Sequence, residues 1–314
     1  MDNTDAIRYA CCIIVLLSHI MTADNYLILG YGHFVCVTVF FLFSGYGLSL
    51  SFLADRIGCL KKYIGRMLKL GYPLIVVVIL EVLLDVPVGQ AGLWWINVLI
   101  LFYVAFGISI AIFRDKYIVL LFNTIFILMY ICFFQEVVAV KGISFSWTDY
   151  LGWPQQSIGF VLGIILAIWK EKILSFLYKY KTMLLTASVL VLLITGEYYA
   201  RKHDISKITN EQLLIRNIIS MSCIIIMLVF LQYFSLGNRI IVFVGHNLSI
   251  YIFALHGLLI GIVDVYYNGI DDNLRIGFII MASLIGSLGM YYLKLGMTNI
   301  WILLKDRYIT YGNR

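Results

Sequence analysis

Long apolar runs, separated by short polar segments, repeat along the whole chain. Most of these runs are about as long as a helix that crosses the hydrocarbon core of a bilayer, which takes roughly 20 residues. The alternating pattern of strands in a membrane barrel is absent. The pattern therefore predicts an all-α bundle of about ten transmembrane helices, with runs at about 6–22, 34–53, 70–86, 93–113, 117–137, 157–169, 182–200, 213–235, 248–267 and 276–304.

Composition supports this fold class. Of 314 residues, 62% are hydrophobic and 13% are charged, whereas soluble domains are nearer half apolar and one quarter charged. The first run follows Asp2 and Asp5 and has no small-residue cleavage site after it, so we expect it to remain as an anchor. We expect residues 1–314 to form a single integral-membrane domain without a soluble extension.

Lysine and arginine are unevenly distributed between the polar segments. If the N-terminus is cytoplasmic, fifteen of them fall on the cytoplasmic side and six on the opposite side. Because positive residues are enriched in cytoplasmic loops, and the number of spans is even, this bias predicts that both termini are cytoplasmic. The net charge of +6 is then a topology signal spread over several short loops, and we expect no nucleic-acid partner.

Cysteine, histidine and glycine spacing adds packing information. The six cysteines and five histidines lack the spacing of a disulfide framework or a metal site, so we expect no metal and cysteines that pack as small hydrophobes. Gly159 and Gly163 form a G-x-x-x-G pair, and Gly47 with Ser51 repeats the pattern of small residues four apart. Both pairs predict close contacts between helices.

The first apolar run contains an arginine and a histidine eleven positions apart, Arg8 and His19. Eleven residues of α-helix rise about 16 Å and make close to three full turns, so both side chains lie on one face. Ionisable groups at membrane depth are costly and indicate functional sites. Imidazole is a common general base and can also act as a nucleophile. Alternatively, Arg8 reaches the interface and His19 bonds a neighbouring helix.

A basic segment follows the second run. Lys62, Arg66 and Lys69 stand at positions i, i+4 and i+7, which places them on one face of a helix. Such a face is suited to binding the phosphates of an anionic ligand. The alternative is that these residues only orient the protein or bind anionic lipid.

Four other polar residues interrupt apolar runs. Ser44 follows a phenylalanine-rich stretch, where close helix packing is the alternative to chemistry. Tyr251 and His256 lie five positions apart in the ninth run, where a hydrogen bond between helices is the alternative. Glu81 lies in the third run and either pairs with Arg8 or His19 or is protonated.

Taken in order, these residues resemble the acyltransferase-3 family of membrane O-acyltransferases. The resemblance runs from about Asp5 to Lys305, and Lys69 stands where the family has an arginine. The matched motifs are R-x10-H (Arg8, His19), a phenylalanine pair with Ser-Gly-aromatic (Phe40, Phe41, Ser44, Gly45, Tyr46), a basic loop leading to proline (Arg66, Lys69, Pro73), a Trp-rich segment (Leu93 to Ile96), G-x-x-x-G (Gly159, Gly163) and Ser-x-Tyr…His (Ser249, Tyr251, His256).

The resemblance implies an acyltransferase that moves an acyl group, usually acetyl, from cytoplasmic acyl-CoA to a hydroxyl of a cell-surface or exported carbohydrate. His19 and Arg8 are then the catalytic residues, with His19 acting as a general base or as a transient acyl carrier. Arg66, Lys69 and Lys62 are expected to bind the phosphates of the donor. The remaining candidates are substrate-binding or structural polar residues: Ser44, Tyr251, His256 and Glu81.

The same resemblance implies a multi-pass protein of the cytoplasmic (inner) membrane. Its expected partners are a carbohydrate acceptor, the lipid bilayer and proteins of polysaccharide synthesis or export, with acyl-CoA as co-substrate. Two other hypotheses remain open. Buried polar residues also suit a transporter or flippase for a polar solute or lipid-linked sugar, and they also suit a structural subunit in which they serve packing only.

Overall fold

We describe the protein from a computed structural model, which covers residues 4–20, 32–86, 94–134, 156–202, 210–232, 238–267, 269 and 271–312. Helices account for nearly all of this part of the chain, and no strand occurs in it. The α-helices are α1 (Thr4–Ile20), α2 (Gly32–Ala54), α3 (Arg56–Lys61), α4 (Tyr63–Leu83), α5 (Trp94–Ile112), α6 (Lys116–Phe134), α7 (Ile158–Ile168), α8 (Lys170–Lys179), α9 (Lys181–Lys202), α10 (Asn210–Phe230), α11 (Arg239–Phe243), α12 (Ser249–Tyr266) and α13 (Asp272–Gly312). A π-helix, Val244–Leu248, joins α11 to α12.

Each of the ten predicted apolar runs coincides with one of these helices. Six helical segments in the described part are long and apolar enough to cross a membrane: 32–54, 95–112, 116–133, 181–198, 239–266 and 274–299. The predicted class, a helical multi-pass membrane protein, is therefore confirmed. The number of ten spans and the cytoplasmic position of both termini remain predictions.

The helix of the ninth run begins earlier than predicted. The ninth run was expected to begin near residue 248, but helix begins at Arg239, where the side chain of Asn238 accepts a hydrogen bond from the backbone N–H of Ile240. This side-chain cap satisfies a backbone donor that the first turn leaves open. Because the π-helix contains polar residues, a search for apolar runs does not detect that the helix starts before it. α7 has 11 residues, shorter than a full span, in agreement with the short predicted run at 157–169.

The predicted glycine pair brings α7 against α2. A Cβ atom on Gly159 would overlap the carbonyl oxygen of Thr38, and one on Gly163 would overlap the carbonyl oxygen of Leu42. Gly45, on α2, meets the backbone of α7 in the same way. The expected close contact is therefore confirmed. The prediction was wrong for Gly47, because a Cβ there would meet no atom within 4 Å.

α1 and α12 run in the same direction. The thiol of Cys12 lies 3.5 Å from the carbonyl oxygen of Ser249 at the start of α12, and seven residues further along both helices His19 stacks on His256. α4 is parallel to α12 through Tyr72–Tyr251 and Leu84–Tyr266, and α13 is antiparallel to it through Gly286–Leu255 and Asp264–Arg275.

α2 runs antiparallel to α1. The guanidinium of Arg8 lies 5.9 Å from the ring centre of Phe43, whereas His33, at the start of α2, lies beside His19 at the end of α1. α7 is parallel to α2, as the glycine contacts require. The helices of the first, third and ninth runs (α1, α4 and α12) thus point one way, and those of the second, sixth and tenth runs (α2, α7 and α13) point the other way. This is expected if successive runs cross the membrane in opposite directions.

Candidate active site

The two ends of α1 have different polar surroundings. Arg8 lies just after the first turn of the helix and His19 lies in its last turn. Their separation of eleven positions spans about 16 Å of helix. The helix between them packs into the bundle, where Cys12, Val15 and Leu16 are almost fully buried.

His19 belongs to a group of three histidines from three helices. Its ring stacks on that of His256 at a centroid distance of 5.1 Å and an interplanar angle of 19°. The ring of His33 lies 5.4 Å from that of His19 on another side. α1, α2 and α12 therefore bring three imidazoles together, which we call the histidine group (His19, His33, His256).

His256 is the most buried member of the histidine group. It is 4% exposed, and its Nδ1 lies 2.8 Å from the carbonyl oxygen of Phe253. Because a carbonyl can only accept, Nδ1 carries the hydrogen in this bond. Phe253 also packs edge-on against Trp95 and Phe40. An aromatic cluster therefore holds the α12 turn that orients His256, and His256 in turn covers one face of His19.

Arg8 lies among other charged groups. Its Nη1 is 3.5 Å from Oδ1 of Asp5, one turn earlier in α1. Its charge also acts on Lys69, and that of Lys69 acts on Lys294. The ammonium of Lys294 lies 6.0 Å from the ring centre of Tyr72. α1, α4 and α13 thus contribute one cation each to what we call the basic group (Arg8, Lys69, Lys294).

The basic segment Lys62 to Lys69 begins at the junction of two helices. α3 ends at Lys61 and α4 begins at Tyr63, so Lys62 occupies the junction between them and is exposed. Lys62 has helical backbone angles, and its carbonyl oxygen accepts a hydrogen bond from the backbone N–H of Arg66 at 3.2 Å, so the predicted i, i+4, i+7 spacing is kept across the junction. Arg66 and Lys69 remain within α4.

Arg66 is bound at a corner between helices. Its Nη2 donates to the hydroxyl of Ser51 at 2.9 Å, and its Nη1 lies 3.9 Å from the sulfur of Cys59. These contacts tie α4 to the end of α2 and to α3. The charges of Arg66 and Arg8 also act on Tyr103, which lies near Ser44.

The other polar candidates occupy different positions. Tyr251 is 1% exposed and packs edge-on against Tyr72, close to the basic group. Ser44 is part-buried on α2 beside Tyr103. Glu81 is fully buried on α4. Its predicted pairing with Arg8 or His19 stays a prediction.

Sequence reasoning missed His33, His246 and Tyr103. His33 begins α2 and appears in sequence as a residue flanking an apolar run. His246 lies in the π-helix, and its Nδ1 is 3.4 Å from Oδ1 of Asp5. The only sequence signal for either is the rarity of histidine in this chain, which has five. No group of three or more His, Cys, Asp or Glu residues in the described ranges has a geometry that could hold a metal ion.

Comparisons with known proteins identify the family. The model of the acyltransferase-3 family, described as an acyltransferase domain, matches residues 1–292. A search of curated proteins and a search of solved structures found no match. The family match spans the histidine group, the basic group apart from Lys294 and nearly all of the helices described above. The chain therefore belongs to the acyltransferase-3 family and is a membrane acyltransferase.

Proposed function

We propose that the protein transfers an acyl group, most simply acetyl, from cytoplasmic acyl-CoA to a hydroxyl group of a cell-surface or exported carbohydrate. The observation that carries this proposal is the separation of two polar groups along α1. Arg8, with the rest of the basic group, lies at one end of the helix. His19, with the rest of the histidine group, lies about 16 Å away by helix rise. A long donor that is anionic at one end and reactive at the other suits this layout.

The basic group suits the anionic part of the donor. Coenzyme A carries a diphosphate and a further phosphate, and phosphates bind guanidinium and ammonium groups through charge-assisted hydrogen bonds. Arg8 is 30% exposed and so remains open to a ligand. With the N-terminus in the cytoplasm, as the distribution of Lys and Arg predicts, this end of α1 meets the compartment that contains acyl-CoA.

The histidine group suits the reacting end. In the proposed step the acceptor oxygen attacks the thioester carbonyl, its hydrogen passes to His19, the carbon–sulfur bond breaks, and the same hydrogen then protonates the departing thiolate. Equally, His19 can attack first and carry the acyl group to the acceptor. Either route produces an ester and free CoA, and no external oxidant or base is consumed.

The proposed cellular location follows from the separation of the donor-binding end of α1 from its reacting end. We propose the cytoplasmic (inner) membrane as the site of the protein, with the donor on the cytoplasmic side and the carbohydrate on the far side. Proteins that synthesise or export the polysaccharide are the partners that would supply the acceptor. Family membership supports acyl transfer over transport alone, and solute uptake that needs no acyl donor would favour the transporter instead.

The direct test is transfer of labelled acetyl from acetyl-CoA in membranes that contain the protein. His19→Gln keeps polar side-chain atoms but removes the group that takes up a proton, so transfer should fall by roughly a hundredfold or more. Lys172→Ala, on the exposed helix α8, is the matched control and should transfer normally. Full activity of a correctly inserted His19→Gln protein would contradict the proposal.

The acceptor is identified separately. Mass spectrometry of surface glycans from cells with and without the protein should show the loss of an acetyl increment, and a lost succinyl increment would identify a different donor. Unchanged glycans would remove the carbohydrate part of the proposal while leaving acyl transfer itself to the labelled assay.

A further inference from the structure

The π-helix presses directly on the first turn of α1. A Cβ atom on Gly245 would overlap the backbone carbonyl oxygen of Asp5, so only glycine allows this approach. The π-helix spans Val244–Leu248, and both Val244 and Leu248 are buried. Short π segments inside helices occur often at functional sites. Here the segment aims one side chain, that of His246, at the end of α1 that contains Arg8.

Asp5 is shared between two side chains. Oδ1 of Asp5 lies 3.4 Å from Nδ1 of His246 and 3.5 Å from Nη1 of Arg8. One carboxylate oxygen therefore lies close to both an imidazole nitrogen and a guanidinium nitrogen. His246 and Arg8 thus lie near the same oxygen atom, although they are 238 residues apart in sequence.

The three side chains differ in exposure. The His246 side chain is 56% exposed, whereas that of Arg8 is 30% and that of Asp5 is 20% exposed. A histidine that served only to fasten the π-helix would gain most from burial with its partner. More than half of the His246 side chain instead remains accessible to a ligand, near an Asp5 oxygen that also lies 3.5 Å from Arg8.

The charges around this point suit an anion. The fields of both Arg8 and Asp5 act on Lys69, and that of Lys69 acts on Lys294. One carboxylate is therefore outnumbered by the cations of the basic group before His246 is counted. A phosphate group that binds between Arg8 and His246 would meet net positive charge, and Asp5 would keep both donors in position.

We propose that His246 is a donor-binding residue that, together with Arg8, binds a phosphate group of the acyl-CoA donor, with Asp5 positioning both side chains. This inference rests on the proposed function. With Nδ1 facing Asp5, the other ring nitrogen can donate to a phosphate oxygen only when the ring is protonated. An arginine at this position can replace the imidazolium because it is a permanent cation.

The test compares two variants, His246→Gln and His246→Arg, on two acyl donors. Acetyl-CoA carries the phosphates, whereas acetyl-pantetheine has the same thioester and no phosphate. His246→Gln should raise the KM for acetyl-CoA by about three- to tenfold, and His246→Arg should restore it. The KM for acetyl-pantetheine should not follow this pattern.

Asn247→Ala provides the matched control, since it changes the next residue of the same π-helix. Stabilisation by CoA of the detergent-solubilised protein, read as an increase in Tm, gives a measure that needs no turnover. The shift should shrink in His246→Gln and return in His246→Arg.

Three results would overturn the inference: equal losses on both donors, no rescue by arginine, or the same loss in Asn247→Ala. Each would assign His246 a structural role. A wild-type protein with neither acetyl transfer nor a CoA-dependent Tm shift would instead overturn the proposed function itself.

Discussion

The two ends of α1 both carry polar side chains inside an apolar bundle, but the kinds of side chain differ. Around Arg8 the side chains are charged, part-exposed and contributed by several helices, with Asp5 as a shared counter-charge. Around His19 they are imidazoles, packed ring against ring, and His256 is 4% exposed.

This contrast agrees with the free-energy cost of placing each kind of group at its end of α1. Formal charges cost least where water reaches them, which is where an anionic ligand arrives. Neutral rings cost less in a closed space, where a base can act without bulk water. One helix thus connects a place suited to binding with a place suited to chemistry, and the following substitutions test that division.

The largest expected effect after loss of His19 itself is at His256. His256→Asn keeps an N–H donor for the carbonyl of Phe253 but removes the ring that covers His19, so kcat should fall by about ten- to a hundredfold. His256→Phe keeps a flat ring and should retain more of the rate. The KM for acetyl-CoA should change little in either variant, because neither touches the basic group.

Steady-state kinetics on the two His256 variants check this. Wild-type kcat in His256→Asn would show that ring stacking does not position His19. A rise in donor KM with unchanged kcat would contradict the division between the two ends of α1.

At the other end, Arg8→Ala should raise the KM for acetyl-CoA by about tenfold, since a guanidinium forms paired hydrogen bonds with phosphate. Arg8→Lys should recover only part of this loss, because an ammonium group lacks the planar fork. Donor titrations in vesicles measure both. If acetyl-pantetheine loses as much as acetyl-CoA, Arg8 acts on the thioester or on the fold and not on the phosphates.

The smallest effect is expected at Lys69, the position where the family motif has arginine. Lys69→Arg should lower the KM for acetyl-CoA by about two- to threefold, because a fork replaces a point charge beside a phosphate. The same donor titration checks it, with Lys62→Arg as a control at the exposed junction between α3 and α4. Equal gains at both positions would indicate a general charge effect.

Sequence reasoning reached the parts of this molecule that depend on local pattern. Apolar length located one helix for each of the ten runs, though not the short helices α3, α8 and α11, and glycine spacing predicted that α7 makes a close contact through Gly159 and Gly163. Arg8 and His19 stood out because charge or imidazole inside an apolar run is expensive, which is a property of the sequence alone.

What the sequence did not reveal depends on pairing over long separations. His33 and His246 gain their interest only from neighbours on α1, and no periodicity predicts which helices meet.

The central claim is that acyl groups enter at the Arg8 end of α1 and react at His19. Sealed membrane vesicles of both orientations, given acetyl-CoA labelled in the acetyl group, test it most directly. The account predicts labelled carbohydrate only where acetyl-CoA meets the cytoplasmic face, and none in His19→Gln. Equal labelling from either face, or labelling that persists in His19→Gln, would contradict it.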